Sequence, residues 1–121
     1  MSNFKEELEK QILYCCSMDN FRAAVYVSSK DKIDFVKNIL KNTINNIPDV
    51  RTKLFRCVFN QYENFVVFSN RSRLKIIVSN NSSRGNKING CLIDENISDD
   101  IKQMIIYPQL FPRIISVEEF K

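Results

Sequence analysis

Two adjacent carboxylates close a short apolar run in this sequence, Leu92-Ile93-Asp94-Glu95. A strand of that kind delivers its acids where open α/β sheets bind ligands, beyond the carboxyl ends of parallel strands. There one acid can hold a divalent cation through water while the next polarises an attacking water, as phosphoryl transfer requires. Neighbouring strand residues point to opposite faces, so the pair would not normally converge on one ion. The same four residues also read as a strand that ends in solvated acids before a helix cap. Other site chemistries are excluded by residue type. The sequence has no histidine, and its four cysteines, Cys15, Cys16, Cys57 and Cys91, include no C-x-x-C pair. Ordinary zinc sets and His-based triads therefore cannot be built. Cysteines inside apolar segments read as small buried hydrophobes with reduced thiols.

A second group is cationic. Arg71, Arg73, Lys75, Arg84 and Lys87 cluster in and around polar loops, where they are either solvated or in contact with nucleic-acid or other phosphates. Tyr62, Phe65 and Phe68 lie nearby and would stack on bases if exposed, although at strand spacing they read as core. A net charge of +4 permits contact with nucleic acid without requiring it.

The elements that must position these groups follow from periodicity. At 121 residues and 44% hydrophobic, the sequence suits one core and a single domain over 1–121. It has no apolar run of 18 residues and a charged N-terminus, Phe4-Lys5-Glu6-Glu7, which leads to the expectation of a cytoplasmic chain. Phe4, Leu8, Ile12 and Cys15 predict an amphipathic first helix. The continuous run Ala23-Ala24-Val25-Tyr26-Val27 predicts an interior, parallel strand. Ser28 or Ser29 is expected to cap a helix from 31 to 47 with a stripe of Ile33, Val36, Ile39, Leu40, Ile44 and Ile47, stopped by Pro48. Residues 54–59, 65–69 and 74–79 read as an antiparallel meander, and 91–93 as another buried strand. Ser98 would cap a last helix that ends at Tyr107-Pro108, and residues 113–116 would form a final strand. The fold class is a three-layer α/β arrangement, a mostly parallel sheet flanked by helices with a β-hairpin insertion.

In this order the elements resemble the ATPase domain of viral large terminase subunits, the motors that pump DNA into phage and herpesvirus-type capsids. In that family a hairpin with an Asn-Gly-Ser-like turn leads to an Arg-Gly pair, and roughly ten residues later to the Asp-Glu of the Walker B strand. Here Asn70-Arg71-Ser72 matches the turn with Arg in place of Gly, Arg84-Gly85 matches the pair, and Asp94 stands ten residues after Arg84. The resemblance implies that Asp94 helps hold magnesium, that Glu95 polarises the attacking water, and that Arg84 matches the arginine inserted into a neighbouring subunit's site. The family's P-loop, G-x-x-x-x-G-K-[ST], does not occur in this sequence, so the backbone amides and lysine that cradle the β and γ phosphates are missing.

The sequence thus reads as a truncated or split terminase ATPase domain, viral in origin. It begins where the helix after a P-loop would already be running, and its last residues, Val117-Glu118-Glu119-Phe120-Lys121, replace a Thr-rich coupling motif. Such a chain would not be a self-sufficient hydrolase. It would bind no cofactor alone and meet Mg-ATP only in a complex in which a partner supplies the P-loop. Expected partners are other terminase or portal proteins, with contact to the DNA backbone and self-association through sheet edges, since loss of the P-loop strand would leave two edges unpaired. The competing reading is a small viral interaction protein that reuses the fold to bind or inhibit a host protein target.

Overall fold

The computed structural model describes residues 4–61, 63–79, 87–110 and 114–120. Helix α1 (Phe4–Ser17) leads to β1 (Arg22–Val27), α2 (Asp31–Asn46), the short α3 (Pro48–Lys53), the meander β2 (Leu54–Phe59), β3 (Asn64–Phe68) and β4 (Arg73–Val78), and then β5 (Gly90–Asp94). A short α4 (Asp99–Ile101) runs on into a π-helical turn, Lys102–Ile106, and a 3-10 turn, Tyr107–Gln109, before β6 (Ser116–Phe120). The six strands form one sheet in the order β2-β3-β4-β1-β5-β6. β4, β1, β5 and β6 run parallel to one another, and β2 and β3 complete the sheet antiparallel.

Layering follows from the apolar faces. Phe4, Leu8, Ile12 and Cys15 of α1 and Val36, Leu40 and Ile44 of α2 pack on Ala23, Val25, Val27, Leu74, Leu92 and Phe120 of the sheet. The opposite face places Ala24, Tyr26, Cys91 and Ile93 against Ile97, Ile106 and neighbours. β1 and β5, covered on both sides, are the strands that read as continuous apolar runs, as a parallel interior strand must. The result is a mostly parallel sheet between two helical layers.

Three details differ from the sequence reading. Neither Ser28 nor Ser29 caps α2: the N-cap residue is Lys30 and no side chain bonds there. The last helix is only three residues of α-helix before the wider π turn, although Ser98 does cap it, accepting from the Ile101 amide at 3.3 Å. The final strand is Ser116–Phe120 rather than 113–116. It pairs with β5 from Gly90↔Ser116 to Asp94↔Phe120, so the sheet is continuous and has only the two edges of any open sheet. Both edges carry features that discourage strand addition: a bulge next to Arg56 on β2, and the exposed Glu118 and Glu119 on β6.

The β3–β4 turn explains why its sequence matters. Asn70 Nδ2 donates to the Cys15 carbonyl at 2.7 Å and its Oδ1 accepts from the Ser72 amide at 3.0 Å. Ser72 Oγ donates to the Met18 carbonyl at 2.7 Å and accepts from the Phe21 amide at 2.9 Å. These bonds satisfy carbonyls at the end of α1 and fix the start of β1. Arg71 between them has φ 74°, a left-handed conformation that glycine adopts at less cost.

Gly90 is required by close approach. A Cβ there would lie 2.8 Å from Gln11 Oε1, 2.9 Å from Phe21 Cζ and 3.2 Å from the Ser116 carbonyl oxygen. Gly90→Ala is expected to destabilise the chain by about 1–3 kcal/mol, because α1 and β6 must both shift; urea unfolding monitored by circular dichroism reads the change.

Candidate functional site

β5 ends at Asp94, whose side chain is completely buried. A buried carboxylate must be hydrogen-bonded or neutralised, and here three elements supply the partners. Oδ2 accepts from the Ser28 amide at 3.0 Å, from Ser28 Oγ at 2.7 Å and from Lys32 Nζ at 2.7 Å. Oδ1 accepts from the Asn96 amide at 3.1 Å, while the Ile97 amide donates to the Asp94 carbonyl at 3.0 Å, which closes the turn after the strand. Burial alone would push the Asp94 pKa up, but the bonds from Lys32, Ser28 and the Asn96 amide outweigh it and hold the carboxyl below its ordinary value.

Lys32 lies in the first turn of α2. A cation is disfavoured at a helix N-terminus by the backbone dipole; the Asp94 carboxylate 2.7 Å away offsets that cost. The constellation joins the C-terminal ends of β1 and β5 and the start of α2, at the end of the sheet where α/β proteins bind ligands. Oδ2 is fully occupied by Ser28 and Lys32, so a metal ion could reach that oxygen only by displacing one of them.

Glu95, the next residue, is exposed, and its amide donates to the Phe120 carbonyl at 2.8 Å. The adjacent carboxylates therefore occupy different surroundings, one sealed and one in solvent. Among the described residues no group of three His, Cys, Asp or Glu side chains is placed to hold a metal ion. Arg84 and Tyr62 lie outside the described residues.

Of the other cationic candidates, Arg73, Lys75 and Lys87 line one cleft of about 400 Å³ together with Arg22. Arg71 sits apart in the β3–β4 turn. Phe68 is buried in the core, whereas Phe65 is half-buried on the opposite face of the sheet. Cys15 and Cys91 are buried, with the Cys91 thiol pushed up to about 12 by burial, whereas Cys16 is half-buried and Cys57 is exposed on the edge strand. Sequence reasoning missed Ser28 and Lys32 as partners of Asp94. The available signal was a lysine in a first helical turn directly after a buried strand.

No protein-family model and no curated protein matches this sequence. Solved structures do match in fold. The chain aligns over 97% of its length with the crystal structure of the HK97 bacteriophage large terminase, with a TM-score of 0.72 at 12% identity. A mutant of the large terminase ATPase domain from Thermus phage P74-26 aligns over 96%, with a TM-score of 0.71 at 9% identity. The fold is similar to part of the large-terminase ATPase domain. The chain spans 26% of the first protein and 54% of the second. In this terminase-like fold the order of elements expected from the sequence is the order observed, from α1 to the strand that ends at Asp94.

Because the folded chain holds Asp94 below the ordinary carboxylate range, near 4, folding favours the ionised form. Its stabilisation is fully present above about pH 4 and is lost as pH falls through the lowered folded value. Lys32→Met is expected to cost about 1–3 kcal/mol at pH 7, a range set by leaving a buried carboxylate without its cation and reduced because Lys32 is partly exposed. Asp94→Asn should flatten the acid limb of the stability profile, which urea titrations between about pH 3 and pH 7 would reveal.

Proposed function

We propose that this chain is a terminase-like ATPase module that acts by binding within a DNA-packaging motor and does not hydrolyse nucleotide by itself. The observation that carries this reading is the Asp94 carboxylate. At the position where the resemblance calls for a magnesium-facing acid, it is buried and bonded by Ser28, Lys32 and the Asn96 amide, with Lys32 already supplying a cation. A sequence without G-x-x-x-x-G-K-[ST] supports the same conclusion, since that motif supplies the amides and lysine that wrap a triphosphate. The β1–α2 connection that approaches Asp94 is Ser28-Ser29-Lys30, and it directs the Ser28 amide and hydroxyl and then Lys32 at the carboxylate. Terminase or portal proteins are the partners this reading requires, and magnesium-ATP would be met only in a complex whose other member provides the phosphate cradle.

Two measurements on the full chain test the proposal. Isothermal titration with magnesium-ATP should give no binding in the micromolar range, which corresponds to about −8 kcal/mol. Addition of the chain to the large terminase from its own genome should change that enzyme's ATPase rate or co-purify with it. Micromolar nucleotide affinity, with turnover abolished by Glu95→Gln, would replace this reading with that of an independent enzyme.

A further inference from the structure

Among the described residues, the sheet face turned away from α1 and α2 is only half covered. Residues 97–110 pack over β1, β5 and Ile77 of β4, but the apolar cluster they form includes no residue of β2 or β3. On the uncovered half, strand register sets Arg56, Val67, Arg73 and Arg22 side by side on β2, β3, β4 and β1. The next row on the same face is Val58, Phe65, Lys75 and Ala24. Arg56 and Arg73 are exposed, and Arg22, Lys75, Val58, Val67 and Phe65 are half-buried.

Neighbouring strands lie about 4.8 Å apart, so Arg73 and Arg22 are like charges directly opposite one another, an arrangement that destabilises a sheet. No acid forms an ion pair with Arg22, Arg56, Arg73 or Lys75 among the described residues. The row therefore costs the free protein stability, and an external anion would relieve it. A cleft of about 400 Å³ runs between Arg22, Arg73, Lys75 and Lys87, and one of about 920 Å³ opens on the other side of Lys75 beside Phe65.

We infer that this face binds single-stranded nucleic acid, with phosphates along the arginine row and a base against Phe65. Guanidinium groups match phosphate oxygens bidentately, and repeated cations at strand spacing suit a repeating polyanion better than an isolated acidic side chain. A half-buried ring beside the row offers the stacking surface that sequence-tolerant single-strand binders use. The side chains of a sheet face do not enter a duplex groove as a helix or a two-stranded ribbon does. The site lies near the N-terminal ends of the parallel strands, about 16 Å along the strands from Asp94, and does not depend on the chemistry proposed there.

The test is fluorescence anisotropy on the full chain with labelled oligothymidylate and oligouridylate of about 16 nucleotides, long enough to span such a surface, and a duplex of equal length. Both single strands should bind more tightly than the duplex, and the better of the two tells whether DNA or RNA is preferred. The variant with Arg22→Gln, Arg56→Gln and Arg73→Gln together should bind at least tenfold more weakly. Its salt slope should flatten by about 2, since each single-strand phosphate contact contributes about 0.7. Its unfolding temperature should hold or rise, because like-charge repulsion is removed. Phe65→Leu should weaken binding severalfold with the slope unchanged, and Arg73→Gln alone should lower the slope by about 0.7, which carries the test if the triple variant does not fold. Wild-type affinity in the arginine variants, an equal loss in a charge-matched variant of Lys5, Arg51 and Lys53, or tighter binding of the duplex would each overturn the inference.

Discussion

A carboxylate sealed at the end of β5 constrains everything around it. Because Asp94 is buried, its oxygens must find partners, and these come from the end of β1, the start of α2 and the turn after β5. Ser28 and Lys32 therefore fix the β1–α2 connection against β5, across 66 and 62 residues of sequence. The packing of α2 on the sheet and the geometry of the turn at Asn96 and Ile97 both depend on that anchor. A charge pair of this kind contributes less net stability than an apolar pair of equal size, but removing one partner is costly, so it specifies geometry more than it adds energy.

At the opposite end of the parallel strands, neutral hydrogen bonds do the corresponding work. Asn70 and Ser72 tie the β3–β4 turn to the last carbonyls of α1, and Gln11 reaches Ser116 on β6 at 3.1 Å. At the Asp94 end of the same edge strand the tie is a charged one, between Lys102, buried in the π turn, and Glu119. Each polar group joins a helix to a strand that is distant in sequence, while the apolar residues between supply the burial that favours compaction.

The electrostatics of the two ends differ in a way that bears on function. Near Asp94 the acid is matched internally, which leaves little unsatisfied charge to attract magnesium. Among the described residues no acid pairs with Arg22, Arg56 or Arg73 on the other half of the sheet, and the fold tolerates them side by side.

Much of the fold was legible in the sequence because burial on one or both faces leaves a local trace. The period of α1, the doubly covered runs of β1 and β5, and the three strands of the meander were each recoverable to within a residue or two from apolar spacing alone. The lack of a P-loop motif was likewise a property of the sequence. What only the tertiary structure decided depends on register between strands. The pairing of Lys32 with Asp94, the diversion of Ser28 from a helix cap to that carboxylate, the row formed by Arg22, Arg56 and Arg73, and the placement of the last strand at Ser116–Phe120 all join residues far apart in the chain. Local periodicity tells which face a side chain takes, but which distant residue stands beside it is set by how the strands align, and a single sequence carries no local record of that alignment.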